Sequence, residues 1–330
     1  MSRTLSTRLG LLALVTALAL AGCSGANDDD DDDGAPDPSG PTATRDPAPD
    51  PSTSASGSPS ASASAPQPSA SGSATPPPGT PSGSAAPGTT PAPGDRAATR
   101  WKPQPGLAWQ WQLDGRSDPS VDVPVYDIDG FENTAADVAR LHRDGRKVIC
   151  YINVGAWEDF RSDHAAFPTA LLGEPNGWKG EKWLDIRRID LLRPIMERRF
   201  DMCRDKGFDA VEPDLMEGYG NKTGFPLTAD HQLAYNRMIA EIAHARGLSV
   251  GLKNDLPQIP QLVNDFDFAV NEECAQFDEC DRLTPFIAAG KAVFHVEYEG
   301  STSGFCGESR RLKLSSMLKN LELDTWRKPC

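Results

Sequence analysis

From Trp101 onward, short apolar runs alternate with longer stretches whose apolar residues recur at helical spacing. This is the pattern of βα units around a parallel sheet. Strands are predicted at 108–113, 124–129, 147–154, 182–186, 208–214, 248–255, 268–273 and 292–298. Helices are predicted at 134–144, 190–206, 228–246, 258–265, 283–289 and 310–320, several of them stopping at a glycine (Gly145, Gly207, Gly247, Gly290) that suits a left-handed C-cap. In the longest, Leu233, Met238, Ile239 and Ile242 sit at near-helical spacing with charges between, as an ordinary core-facing stripe does. Eight strands with helices between them, in about 230 residues, predict an α/β fold of the (β/α)8 TIM-barrel type at 101–330. A doubly wound open sheet is the alternative.

Acids gather where these strands end. Tyr126-Asp127-Ile128-Asp129, Glu212-Pro213-Asp214, Lys253-Asn254-Asp255, Asn271-Glu272-Glu273 and Glu297-Tyr298-Glu299 all fall at C-terminal strand ends, the face on which α/β barrels keep their chemistry. One acid in such a place is as well explained by a helix N-cap or a loop ion pair. Five strand ends meeting at one mouth call for another explanation. Crowded carboxylates repel, which separates their pKa values and leaves one group protonated as an acid and another ionised as a base or nucleophile. Cleavage of a glycosidic bond needs that division. Glu212 and Asp214 point to one face of one strand, and two acids a single pleat apart do not easily bracket a bond. The partner of Asp214, which lies nearer the end, is therefore expected from another strand, and Glu212 tunes or positions it. Trp109, Trp111, Trp157, Trp178 and Trp183 offer stacking surfaces for sugar rings, with core packing favoured for Trp183.

Other chemistries fit less well. Asp127-x-Asp129 and Glu212-x-Asp214 could hold a hard cation, but neither stands in a calcium-hand loop. Lys253 at a strand end could form a Schiff base as in a lyase or aldolase, although Asp255 nearby argues for an ion pair. The five histidines are scattered away from any serine or cysteine motif, the nucleophile-elbow pattern is absent, and no cysteines stand at zinc spacing. No metal and no cofactor are expected. A carbohydrate-binding barrel without catalysis is the remaining alternative.

The first hundred residues change the picture of where the protein works. Arg3 and Arg8 precede an apolar run, Leu9 to Ala21, too short for the ~20 residues of a membrane span, which reads as a signal peptide at 1–22. It ends Leu20-Ala21-Gly22-Cys23, similar to a bacterial lipobox, so Cys23 is the expected acylation site and the expected location is the outer side of a bacterial cell membrane. Residues 23–100, with six aspartates at 28–33 and a Pro/Ser/Ala/Thr/Gly tract, have little to bury and are expected to form a disordered tether reaching on the order of 200 Å. The net charge is −14, and because ten acids and five arginines lie in residues 1–100, the remainder carries −9. So acidic a domain is a poor partner for nucleic acid and attracts cations or a cationic polymer. A monomer is expected. Beyond Cys23 six cysteines remain, an even set that suggests disulfides in an exported protein. Of fifteen possible pairings, sequence proximity favours Cys274 with Cys280 and Cys306 with Cys330, which leaves Cys150 with Cys203.

Several runs together carry a resemblance. Tyr126-Asp127-Ile128-Asp129, Val148-Ile149-Cys150-Tyr151-Ile152, Gly155-Ala156-Trp157-Glu158 with Arg161 and Asp163, and Gly180-Glu181-Lys182-Trp183-Leu184-Asp185 come first. Gly207-Phe208-Asp209-Ala210-Val211-Glu212-Pro213-Asp214, Gly247 to Asp255, Phe266 to Cys274, and Lys291 to Phe294 with Glu297-Tyr298 follow in order. The sequence over 108–300 resembles glycoside hydrolase family 114. The resemblance implies a (β/α)8 barrel with endo-α-1,4-polygalactosaminidase activity on a cationic galactosamine-containing polysaccharide. It implies Asp214 as the nucleophile-type carboxylate and Glu272 as acid/base, with Asp127, Asp129, Glu212, Lys253, Asp255, Glu297, Tyr298 and Trp157 around the sugar subsites. The chain departs from the family pattern at Leu215, where members often carry asparagine, and a changed subsite is the expected consequence.

Overall fold

The structure, a computed structural model, describes residues 100–330. The expected signal peptide, the acylated Cys23 and the tether up to residue 99 lie outside the described residues. No helix among the described residues is long and apolar enough to cross a membrane.

Twelve strands follow in chain order: β1 Trp109–Gln112, β2 Val125–Asp129, β3 Lys147–Asn153, β4 Ala156–Glu158, β5 Leu172–Pro175, β6 Glu181–Leu184, β7 Ala210–Asp214, β8 Ser249–Lys253, β9 Phe268–Glu272, β10 Val293–Glu297, β11 Ser315–Leu318 and β12 Lys328–Pro329. The helices are α1 Ala135–Arg143, α2 Ile189–Lys206, α3 Ala229–Ala245, α4 Ile259–Leu262, α5 Thr284–Ala288 and α6 Thr302–Leu312. The main sheet runs β1-β2-β3-β7-β8-β9-β10-β11-β12, in which the first eight strands are each parallel to their neighbours and the two-residue β12 pairs antiparallel with β11. Between β1 and β11 the Trp109 indole donates to the Ser315 carbonyl (2.8 Å). The Leu113 amide donates to Leu323 O (2.9 Å) and the Gln110 side chain to Thr325 O (2.8 Å), so the C-terminal segment fastens the seam. The fold is a TIM barrel, and the doubly wound alternative is set aside.

Side-chain alternation divides the apolar residues into two layers. Trp109, Trp111, Val125, Ile149, Ala210, Phe268, Val270, Phe294, Val296 and Met317 form one buried cluster, the lumen. Their neighbours along the strands, among them Tyr126, Ile128, Val148, Cys150, Val211, Val250 and Val293, join the cluster that packs against the helices. Gly251 has a defined part in this: a Cβ there would come within 2.4 Å of the Phe268 ring, so the glycine lets Phe268 fill the lumen below Lys253. Helix starts are set locally, with Thr134 and Asp137 forming a capping box on α1 and Thr228 and His231 another on α3. Gly207, at φ +93°, ends α2 in the left-handed conformation and feeds β7.

Two predicted elements are corrected. The strand predicted at 182–186 is β6, which pairs antiparallel with β4 and β5 in a separate three-stranded sheet inserted between β3 and α2. The helix predicted at 310–320 is the end of α6, a left-handed Lys313 (φ +61°) and then β11, the eighth barrel strand. Glu212 and Asp214 thus stand on the fourth barrel strand, and Glu272 on the sixth. Disulfides join Cys274 to Cys280 and Cys306 to Cys330, the pairs that sequence proximity favoured, and Cys150 to Cys203, the pair it left.

Candidate active site

The lumen-facing positions at the C-terminal ends of the strands carry polar groups stacked above the apolar layer. Trp111, Asp127, Tyr151, Glu212, Asp214, Lys253, Glu272 and Tyr298 come together here from seven strand ends. At their centre is the Lys253 ammonium, buried and 4.8 Å from the centroid of the Trp111 ring. It lies 2.9 Å from Asp214 Oδ1, 3.1 Å from Glu212 Oε1 and 3.2 Å from Glu272 Oε2. Burial acts to lower the Lys253 pKa, but Asp214, Glu272 and Glu212 outweigh it and raise it well above the usual lysine value. The amine is thereby held as a cation, the reverse of what a Schiff-base nucleophile requires.

Asp214 is positioned by two donors, Lys253 on Oδ1 and the Tyr151 hydroxyl on Oδ2 (2.8 Å). Burial pushes its pKa up, yet the Lys253 charge and these hydrogen bonds hold it below the ordinary carboxylate value, so it is ionised at neutral pH. Glu272 accepts from the Tyr298 hydroxyl on Oε1 and from Asn254 Nδ2 on Oε2 (3.2 Å), while Asn254 Oδ1 receives the Glu272 amide (3.0 Å). Asn254 holds φ +49° to make this clasp, a conformation asparagine tolerates better than most residues. Burial and the Glu272 charge keep the Tyr298 phenol protonated, as a donor must be. Lys253 bridges both acids, so the two oxygens it touches are at most about 6 Å apart, a bound that admits the ~5–5.5 Å separation of retaining glycosidase carboxylates.

Other residues expected around the subsites have different surroundings. Asp129 takes both guanidinium nitrogens of Arg161 (3.1 and 2.7 Å) and the amides of Phe131 and Glu132, so its carboxylate fastens a loop. Glu297 is on the outward face of β10 with His295 (2.7 Å) and receives the Ala275 amide (2.8 Å) on the same oxygen, Oε1. Asp255 is buried against α3, where Asn236 donates to it (2.9 Å), and burial raises its pKa to about 8. Trp157, half-buried on β4, directs its indole N–H to His164 O (3.0 Å). Trp109, Trp111 and Trp183 are buried, while Trp178 is exposed.

The sequence reading missed Tyr151, Asn254, the hydrogen-bonding role of Trp111, and two further acids. Glu217, in the loop after β7, accepts no side-chain hydrogen bond from the described residues, and burial with Asp214 nearby raises it to about 8. Glu181 on β6 is raised to about 7, chiefly by burial, and is held by Asn176 (2.8 Å). Tyr151 shares the lumen phase of Ile149, a signal that could have found it. The two loop and insertion acids carry no such periodicity.

A barrel mouth that gathers facing carboxylates suits the hydrolysis of glycosidic bonds. The sequence model of glycoside-hydrolase family GH114 matches residues 90–330, and the chain belongs to that family. Among solved structures, that of Aspergillus fumigatus Ega3 in complex with galactosamine is 39% identical, with a TM-score of 0.66 over 70% of this chain and 98% of that one. The glycoside hydrolase domain of PelA from Pseudomonas aeruginosa, 13% identical, shares the fold with a TM-score of 0.54 over 67% of this chain and 97% of that one. No curated protein matches the chain significantly.

Proposed function

We propose that the protein is a secreted, membrane-anchored endo-glycosidase that hydrolyses α-1,4-galactosaminidic linkages in galactosamine-containing polysaccharide. The observation that carries this reading is the bridge of Lys253 between Asp214 and Glu272, at 2.9 and 3.2 Å. The bridged oxygens, at most about 6 Å apart, fit retention through a double displacement. Ionised Asp214 attacks the anomeric carbon while Glu272, having first drawn a proton from solvent, gives it to the departing glycosidic oxygen. Water then enters from the vacated side, Glu272 takes its proton, and the bond from the sugar to Asp214 breaks. Lys253 and Tyr151 direct the charge of Asp214, and Asn254 and Tyr298 orient Glu272.

Two observations support the substrate. The 39% identical Ega3 was solved with galactosamine. The charge of −9 over residues 101–330 draws a polymer whose free amines are cationic. Acylation of Cys23 would tether the barrel outside the cell, where it acts as a monomer. The test is release of new reducing ends from partly deacetylated α-1,4-galactosamine polymer by the full chain. Asp214→Asn and Glu272→Gln should each lower that rate by about 10³-fold or more. Polymer binding without cleavage by the unmutated protein would turn the reading toward a binding module.

A further inference from the structure

Beneath the reacting pair lies a carboxyl group that the displacement does not use. Asp127, in the middle of β2, is wholly buried, and neither of its oxygens receives an N–H or O–H from any described residue. What its carboxyl meets is the carboxyl of Glu212, also wholly buried. Two ionised carboxylates in contact without water or donors repel strongly, whereas one proton between them makes a short charge-assisted hydrogen bond. The remaining partners decide where the proton sits. Glu212 accepts from the Trp111 indole (2.9 Å) and from Lys253 (3.1 Å), both of which favour its anion, and Asp127 has neither.

We propose that Asp127 is a positioning residue that works as the carboxylic acid, donating its proton to Glu212, and that this proton keeps the Lys253 ammonium committed to Asp214 and Glu272. The inference rests on the reading of those two acids as the reacting pair. The groups around this buried pair are Trp111 from β1, Asp214 from β7 and Lys253 from β8, and Tyr151 from β3 and Glu272 from β9 act on it through Lys253. Burial and the Glu212 charge move Asp127 well above the carboxylate range, in the direction the geometry requires. Were Asp127 ionised, two negative charges below Lys253 would draw its ammonium down the lumen, away from the two acids at the mouth. With the proton in place, Glu212 is a single fixed anion under a single cation.

The test has a readout independent of turnover. Infrared spectra at pH 8 of the full chain carrying Asp255→Asn, which removes the other buried aspartate still partly protonated at that pH, recorded with and without ¹³C-aspartate, should show a protonated-carboxyl stretch that moves with the label and is absent once Asp127→Asn is added. Lack of that band with Asp127 intact would overturn the proposal whatever the substrate proves to be. In turnover, Asp127→Ala, which strips Glu212 of its donor, should lower kcat by about 100-fold, and Asp127→Asn, which supplies an N–H in place of the O–H, should restore it to within about 10-fold. An asparagine variant as slow as the alanine variant would mean that a carboxylate is required, and would overturn the assignment. If the alanine variant does not fold, the infrared band and the asparagine variant decide.

Discussion

Asp255 shows how burial of one acid writes itself into the pH dependence of the whole protein. Its carboxyl pKa stands at about 8, against an ordinary value of 3.8, because burial disfavours its charge and Tyr219 and Asn236 offset only part of that. Between those values the unfolded chain has released the proton and the folded one retains it, so this group lowers stability as pH rises through the window. Asp255→Asn copies the protonated form. The variant should match the unmutated protein near pH 4 and exceed it at pH 8 by on the order of a few kcal/mol in urea unfolding. Equal stabilities at both pH values would contradict the buried, protonated Asp255. Asp214 runs the other way, since its pKa is depressed: its contribution is present at neutral pH and is lost as pH falls through its folded value.

At the scale of elements, the end of β7 decides where Asp214 stands. The Asp214 carbonyl accepts the amides of Val154 and Gly155 (3.1 and 3.2 Å), and Leu215 then turns the chain at φ +59°, a conformation costly for leucine. The turn presses on Gly155, where a Cβ would lie 1.8 Å from Leu215 O. Gly155→Ala should therefore push the turn outward and shift Asp214, with a loss of about 10²-fold in kcat for a displacement near 1 Å. Steady-state kinetics on galactosamine polymer reads this directly, and unchanged kcat would contradict the tight packing. The same scale shows what was legible in the sequence. Seven barrel strands were readable as apolar runs, five of them ending in carboxylates, and the family resemblance singled out Asp214 with Glu272 among those acids. β11 was not, because Leu314, Met317 and Leu318 also suit a helix and the break before it is a lysine, without the glycine that marked other helix ends. β6 has the composition of a barrel strand, and only its hydrogen-bond partners, β4 and β5, place it in the small sheet. Glu297 was misplaced by one pleat, since its strand end was visible and its facing was not.

Over the whole molecule, the barrel is held at its seam and through its disulfides. Cys150 on β3 and Cys203 on α2 are 53 residues apart, so their cross-link removes much freedom from the unfolded chain and is worth about 4 kcal/mol in the loop-entropy description. Replacing both by alanine should lower the unfolding free energy by about that amount, and Cys274 with Cys280, only six residues apart, by about 2 kcal/mol. Chemical denaturation of the two double variants should rank them in that order. The ion pairs Asp129–Arg161 and Asp163–Arg199, with Glu158 between the two arginines, lie beside the inserted sheet at the barrel mouth and brace that side of the site. All of this serves one claim, that Asp214 and Glu272 act across Lys253 as a retaining pair. The most direct test is proton NMR of the first products released from a defined α-1,4-galactosamine oligomer, recorded before the anomers interconvert. The α anomer should emerge first, and a β anomer emerging first, or an oligomer left intact, would contradict the account.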